Sequence, residues 1–184
     1  MVKHSLQSDV AFRLMALEFR LRDLLRPPRR ILQGAGMQPG MAVLDFGCGP
    51  GGFSLAAAGL VGQEGRIFAF DIHPLAVKMV QRIAAKKGIR NLRAIPGSGI
   101  DGLPEESLDM VLLYDVLHDI REPNSTLAEI HRVLKVEGVL SVSDHHLREN
   151  TILDTVTAGR LFRFCNRSRW TFQFQRVKLS EDGT

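Results

Sequence analysis

Residues 43–52 read VLDFGCGPGG, and this stretch decides the fold. Val43, Leu44 and Phe46 make a short apolar run of strand length, interrupted by one acid, Asp45. Glycines follow at Gly47, Gly49, Gly51 and Gly52. Glycine accepts the left-handed backbone that a tight strand-to-helix turn needs, and without a Cβ it lets main chain approach a ligand closely. In an open α/β sheet ligands settle at this carboxyl end of a strand. A bare turn without a ligand is the competing reading; four glycines in six positions argue against it.

Working outward, the chain alternates. MAVLDF (41–46) reads as a buried strand and SLAAAGL (54–60) as a small-residue helix. RIFAFD (66–71) is a second strand, followed by a helix from Pro74 to about Lys87 with Leu75, Met79 and Ile83 at i, i+4 spacing and Gly88 as its stop. NLRAI (91–95) is a third strand. LDMVLLYD (108–115) is almost wholly apolar, as a strand covered on both faces should be. Asn124 or Ser125 is expected to cap the next helix, with Leu127, Ile130 and Leu134 in one stripe. GVLSVSD (138–144) is the fifth strand. A helix from Glu149 to Ala158 then leads into LFRFC (161–165) and WTFQFQRV (170–177), whose period-two alternation suits an antiparallel hairpin. Ahead of all this lie a helix over Asp9–Arg26, stopped by Pro27 and Pro28, and a shorter one opened by Pro28 and ending near Gly34 and Gly36. The predicted architecture is a three-layer Rossmann-like α/β domain: about seven strands, mostly parallel, ending in an antiparallel pair. Residues 1–40 are expected to form a helical cap belonging to the same domain as residues 41–184.

Composition limits the function classes. The chain has 184 residues and a net charge of +4, mildly basic and compatible with an acidic partner without requiring one. Cys48 and Cys165 are its two cysteines, in no metal or redox spacing, so neither a disulfide framework nor a metal site is expected. No apolar run reaches the length of a membrane span or resembles a leader. The expectation is a cytoplasmic protein; oligomeric state is not legible.

Gly47, Gly49 and Gly52 also satisfy the GxGxxG spacing of dinucleotide sites. Asp45 separates the two readings. A carboxylate at the pocket mouth suits a ligand with a cationic amino group and a sulfonium, and is unwelcome beside a pyrophosphate. S-adenosylmethionine is therefore favoured over NAD. Asp71, at the end of the second strand, is placed to accept hydrogen bonds from ribose hydroxyls, with Ile72 against the adenine face; capping the helix before Pro74 is its structural alternative.

VLDFGCGPGG (43–52), FAFDIHP (68–74), LDMVLLYDVLHDI (108–120) and LKVEGVLSVSD (134–144) resemble, in order, the successive motifs of class I S-adenosylmethionine-dependent methyltransferases. The resemblance covers roughly Met41 to Asp144. It implies that Asp45, Gly47 and Gly49 hold the methionine part, with Cys48 and Gly51 in the same cofactor-binding loop, and that Asp71 holds the ribose. It puts Ser98 and Gly99 near the adenine edge and Tyr114 near the sulfonium. Ser98 stands where many relatives carry an acid, and Tyr114 where Asn or Ser is frequent.

Methyl transfer from a sulfonium needs mainly alignment and exclusion of water, with a base only where the acceptor loses a proton. Tyr114, His145 and His146 are the catalytic candidates; Asp144 adjoins the two histidines. His118 is expected to order the pocket floor, and His131 to lie in solvent. The N-terminal helix has three readings: a lid in which Phe12, Met15 and Phe19 cover the cofactor, a surface anchor whose arginines meet anionic lipid, or plain packing. Arg160, Arg163, Arg167 and Arg169 interleave with Phe162, Phe164 and Trp170, which would suit RNA; strand alternation explains the aromatics more simply. A small-molecule methyl acceptor is therefore the expected partner, with no transmembrane segment. The alternatives are an RNA or protein methyltransferase, a non-catalytic S-adenosylmethionine-binding module, and an NAD-dependent oxidoreductase.

Overall fold

A computed structural model describes residues 9–97 and 99–178. The elements run α1 (Asp9–Leu25), α2 (Pro28–Gly34), β1 (Ala42–Phe46), α3 (Gly52–Val61), β2 (Arg66–Asp71), α4 (Pro74–Lys87) and β3 (Leu92–Pro96). They continue with β4 (Leu108–Tyr114), α5 (Pro123–Val133), β5 (Leu134–Ser143), α6 (Glu149–Thr157), β6 (Phe162–Arg167) and β7 (Phe172–Arg176). The seven strands form one sheet in the order β3-β2-β1-β4-β5-β7-β6. β1 to β5 are mutually parallel, and β7 runs antiparallel to both β5 and β6. The chain reverses its direction of travel across the sheet between β1 and β4, and a crevice opens at such a switch point.

Each face of the sheet has its own core. On one, Leu44, Val111, Leu113, Leu140 and Val142 pack against Leu127 and Ile130 of α5 and Ile152 and Val156 of α6. On the other, Val43, Ile67, Met110 and Leu112 pack against Ile31 and Leu32 of α2 and Ala57, Ala58 and Val61 of α3. β4 is buried along nearly its whole length, as its unbroken apolar run requires.

Four local expectations change. Leu134 does not continue the stripe of α5; it opens β5 and pairs with Leu108, because the helix ends at Val133 and the chain passes straight into the strand. That helix starts at Pro123, whose ring presets the first-turn dihedral and needs no N–H donor; neither Asn124 nor Ser125 caps it, and the Ser125 hydroxyl donates to Glu122 O. The buried face of α4 is Ala76, Val77, Val80 and Ala84, with Leu75, Met79 and Ile83 at its margins. Small residues are needed there because α4 lies close to the glycine loop: a Cβ on Gly51 would stand 2.6 Å from a Val80 methyl. His131 is buried rather than solvated, its Nε2 2.8 Å from Val177 O. Gln173 is also buried, although it alternates with Phe172 and Phe174. The alternation is still right about direction, since Phe174 is fully buried in the α5/α6 core.

The antiparallel edge should carry much of the stability. Phe174→Ala is expected to cost about 3–5 kcal/mol in chemical denaturation, the usual range for a buried phenylalanine. Phe164→Ala, on the same pair of strands but 44% exposed, should cost under about 1 kcal/mol.

Candidate active site

The crevice is built from the ends of β1 and β4. After Phe46 the backbone takes positive φ at Gly47 (82°), Gly49 (49°) and Gly51 (88°) before α3 begins at Gly52. Gly47 N and Cys48 N both donate to Phe70 O at 2.9 Å, which hangs the loop on the end of β2. Gly47 has a second reason to be glycine, because a Cβ would lie 2.8 Å from a Val116 methyl. Gly49 has only the Phe19 ring near its open side, at 3.8 Å.

Two acids flank this loop. Asp45 is buried and accepts the Ser54 hydroxyl from α3. Burial pushes its carboxyl up to about 6; the Ser54 hydrogen bond opposes this and the nearby Asp71 charge adds to it. Asp71 accepts Gly49 N at 2.8 Å through one oxygen and His73 N at 2.7 Å through the other. Its carboxyl is also raised by burial, against the pull of those two hydrogen bonds. Each carboxylate oxygen keeps a second lone-pair direction, so tying the loop does not exhaust Asp71. The cap of α4 is His73, whose Nδ1 accepts Leu75 N; Asp71 supports that turn without being its cap.

Asp45, Gly47, Cys48 and Tyr114 come together around one cavity, joined by Phe53 and Asp115. Cys48 is inert as a nucleophile, since burial and the Asp45 and Asp71 charges drive its thiol well above the ordinary range. Tyr114 is buried with its hydroxyl 2.8 Å from Ser141 Oγ and its ring edge-on to Phe53. Burial holds its phenol strongly protonated. Tyr114 is therefore a wall of the cavity and a poor base. Ile72 is 46% exposed beside Asp71. Gly99 follows β3, while Ser98 lies outside the described residues.

The histidines occupy the neighbouring edge. His118, in a 3-10 turn after β4, sets Nδ1 2.8 Å from Asp144 Oδ2 at the end of β5, and that aspartate is buried. Asp144 also accepts the backbone N–H of His118 and of His146. The rings of His118 and His146 are 4.2 Å apart, and those of His146 and His145 3.8 Å. His145 Nδ1 lies 2.8 Å from Asp115 Oδ1. His145 and His146 are thus near the crevice, while the imidazole oriented by a buried acid is His118. Among the described residues no group of three or more His, Cys, Asp or Glu could hold a metal ion.

α1 crosses the mouth of the crevice; of the three residues expected to form a lid, Phe12, Met15 and Phe19, Phe19 lines the cavity. Phe12 stacks on His73 with centroids 4.5 Å apart. Arg22 pairs with Asp115 at 2.6 Å and lies over the Phe19 ring, and the Asp23 carboxylate fills the space that a Cβ on Gly52 would need. The space left beneath, beside Asp45, Gly47 and Tyr114, is about 20 Å³, room for a water molecule and no more. A larger ligand enters it only when Phe19, Arg22 and Asp23 of α1 give way. Asp115 and Arg22 were missed as site residues; Asp115 directly follows a strand at the switch point, the position where a ligand-side group belongs.

A Rossmann-like domain with its ligand crevice at the β1/β4 switch point is the class that fold and site define together. Residues 37–172 match the methyltransferase domain family, and the chain belongs to it. It is 27% identical over 119 residues to a demethylmenaquinone methyltransferase of Geobacillus stearothermophilus, covering 64% of this chain and 51% of that protein. Over 143 residues it is 27% identical to a ubiquinone/menaquinone biosynthesis C-methyltransferase of Marinomonas sp. (strain MWYL1), covering 73% of this chain and 55% of the relative. The chain thus spans about half the length of these curated relatives. A solved S-adenosylmethionine-dependent methyltransferase from Aquifex aeolicus shares the fold at 22% identity, with a TM-score of 0.72 over 82% of this chain and 88% of that one. The cofactor of this family is S-adenosylmethionine, and the donor set fits it: the buried Asp45, with its raised carboxyl, favours a cationic ligand and disfavours a pyrophosphate, and Asp71 keeps acceptor capacity for a ribose. Membership in this family sets aside the dinucleotide reading.

Arg22→Ala removes the ion pair with Asp115 and should loosen α1. Stopped-flow association of S-adenosylhomocysteine is expected to become several-fold faster, because the open form is more populated. A rate equal to that of the wild type would mean that this ion pair does not limit entry.

Proposed function

We propose that the protein transfers the methyl group of S-adenosylmethionine to a small-molecule acceptor. The observation that carries this reading is the glycine loop at the end of β1, held between the buried Asp45 and the half-buried Asp71. In it Asp45 and the amides around Gly47 and Gly49 hold the methionine part, Asp71 the ribose, and Ile72 the adenine. When bound, the cofactor supplies an activated methyl carbon on a sulfonium, whose carbon–sulfur bond breaks with its electron pair left on sulfur. Tyr114 and Phe53 wall the crevice and exclude water. His118, held through Nδ1 by Asp144 and with Nε2 3.5 Å from the exposed Asp119 carboxylate, takes the proton of an acceptor that must lose one.

Two features support a small acceptor. The relatives are named for methylating quinone precursors, the ubiquinone/menaquinone enzyme at carbon. Three of the four arginines that would suit RNA are engaged locally: Arg167 pairs with Glu149, Arg163 bonds Gln175, and Arg169 covers Trp170. The test is methyl transfer from labelled cofactor to hydroquinones bearing an unsubstituted ring carbon. Label in the ring supports the reading; bound cofactor with every acceptor unlabelled would favour the non-catalytic binding module.

Asp71→Ala should weaken S-adenosylmethionine binding by about 1–3 kcal/mol, the loss expected for hydrogen bonds to a charged group; calorimetry decides. Asp45 also sets a pH dependence. Its folded-state pKa of about 6 lies above the ordinary value, so this group favours the fold at low pH and its contribution is lost as pH rises through 6. Binding a cation runs the other way, because it needs the ionised form. Affinity should therefore hold above pH 6 and fall below it, approaching about tenfold per pH unit. Calorimetric titrations from pH 5 to 7.5 measure it, and a flat profile would remove Asp45 from contact with the cation.

A further inference from the structure

α1 has two apolar faces, and the crevice uses only one. Phe12 and Ala16 are buried inward, and Phe19 and Asp23 face the glycine loop. On the opposite side Leu14, Leu17, Leu21, Leu24 and Leu25 are 65%, 56%, 59%, 77% and 86% exposed. Their spacing of three and four residues aligns them in one stripe along the helix. A contiguous exposed apolar patch of this kind marks an interaction surface. Its surroundings are basic at one end. Arg26, Arg29 and Arg30 are exposed just past the last leucine and form no ion pair among the described residues. No carboxylate occurs in the chain between Asp23 and Asp45. Glu18 is an exposed acid beside the stripe, and Asp23 is turned toward Gly52 and Arg22.

We propose that this face of α1 docks on an anionic lipid surface, with the helix lying in the plane of the interface, the leucines dipping below the headgroups and Arg26, Arg29 and Arg30 on the phosphates. An interfacial helix needs this combination of an apolar stripe and neighbouring cations, each insufficient alone. A second copy of the chain fits less well. A seam from Leu14 to Leu25 is about 17 Å long, too short to bury the roughly 800 Å² that each partner gives to a standard stable interface. The surface is independent of the chemistry in the crevice, so docking can fail while methyl transfer stands, and the reverse.

The test is co-sedimentation of the full chain with vesicles of phosphatidylcholine alone and of phosphatidylcholine with about 30% phosphatidylglycerol, at physiological salt. Binding should be at least tenfold stronger to the anionic vesicles. It should be lost in Leu17→Ser/Leu21→Ser/Leu24→Ser and weakened several-fold in Arg26→Gln/Arg29→Gln/Arg30→Gln. Both variants change exposed side chains, and an unchanged thermal melt establishes that they fold. No binding to anionic vesicles overturns the proposal, as does binding that survives loss of the leucines. A dimer in sedimentation equilibrium that the leucine variant dissolves would also overturn it, by making a second copy the occupant.

Discussion

The site depends on how one short loop is suspended. Between Phe46 and Gly52 the chain must leave a buried parallel strand, turn through three left-handed residues and enter a helix. Such a path is strained for any residue with a Cβ, and it is fixed from outside by the end of β2. Phe70 O takes two loop amides, and the Asp71 carboxylate takes a third from Gly49. Parallel pairing of β1 with β2 delivers Phe70 and Asp71 to that spot. The crevice is thus a consequence of sheet register, and the acids beside it are oriented before any ligand arrives.

That placement has an electrostatic cost which defines the ligand. Asp45 and Asp71 are both held above the ordinary carboxylate range by burial. A cationic group beside them relieves the penalty, and an anionic one increases it. The glycine spacing and an acid at the end of β2 are shared with dinucleotide folds, so discrimination rests on Asp45. On the acceptor side, charge is arranged differently: Asp144 orients His118, and Asp115 joins His145 to Arg22 of α1. The helix over the crevice is thereby tied to the edge where an acceptor would enter.

Much of this was legible in the residues. The apolar runs, the glycine cluster and the period-two alternation of Trp170 to Gln175 gave the parallel sheet with an antiparallel end, and Asp45 and Asp71 stood out by position. What was not legible came from tertiary packing. Burial of His131 depends on the chain returning past it at Val177, which no local pattern encodes. The choice of Ala76 and Val80 over Met79 as the inward face of α4 reflects the close approach to Gly51. The link from Arg22 to Asp115 joins residues far apart in the chain, and only the fold brings them together.

The central claim is that this loop and its two acids select an S-adenosyl nucleoside. Parallel calorimetric titrations of the purified chain with S-adenosylhomocysteine and with NAD address it directly. The account predicts saturable one-to-one binding of the former and none of the latter; affinity for NAD without affinity for S-adenosylhomocysteine would contradict it.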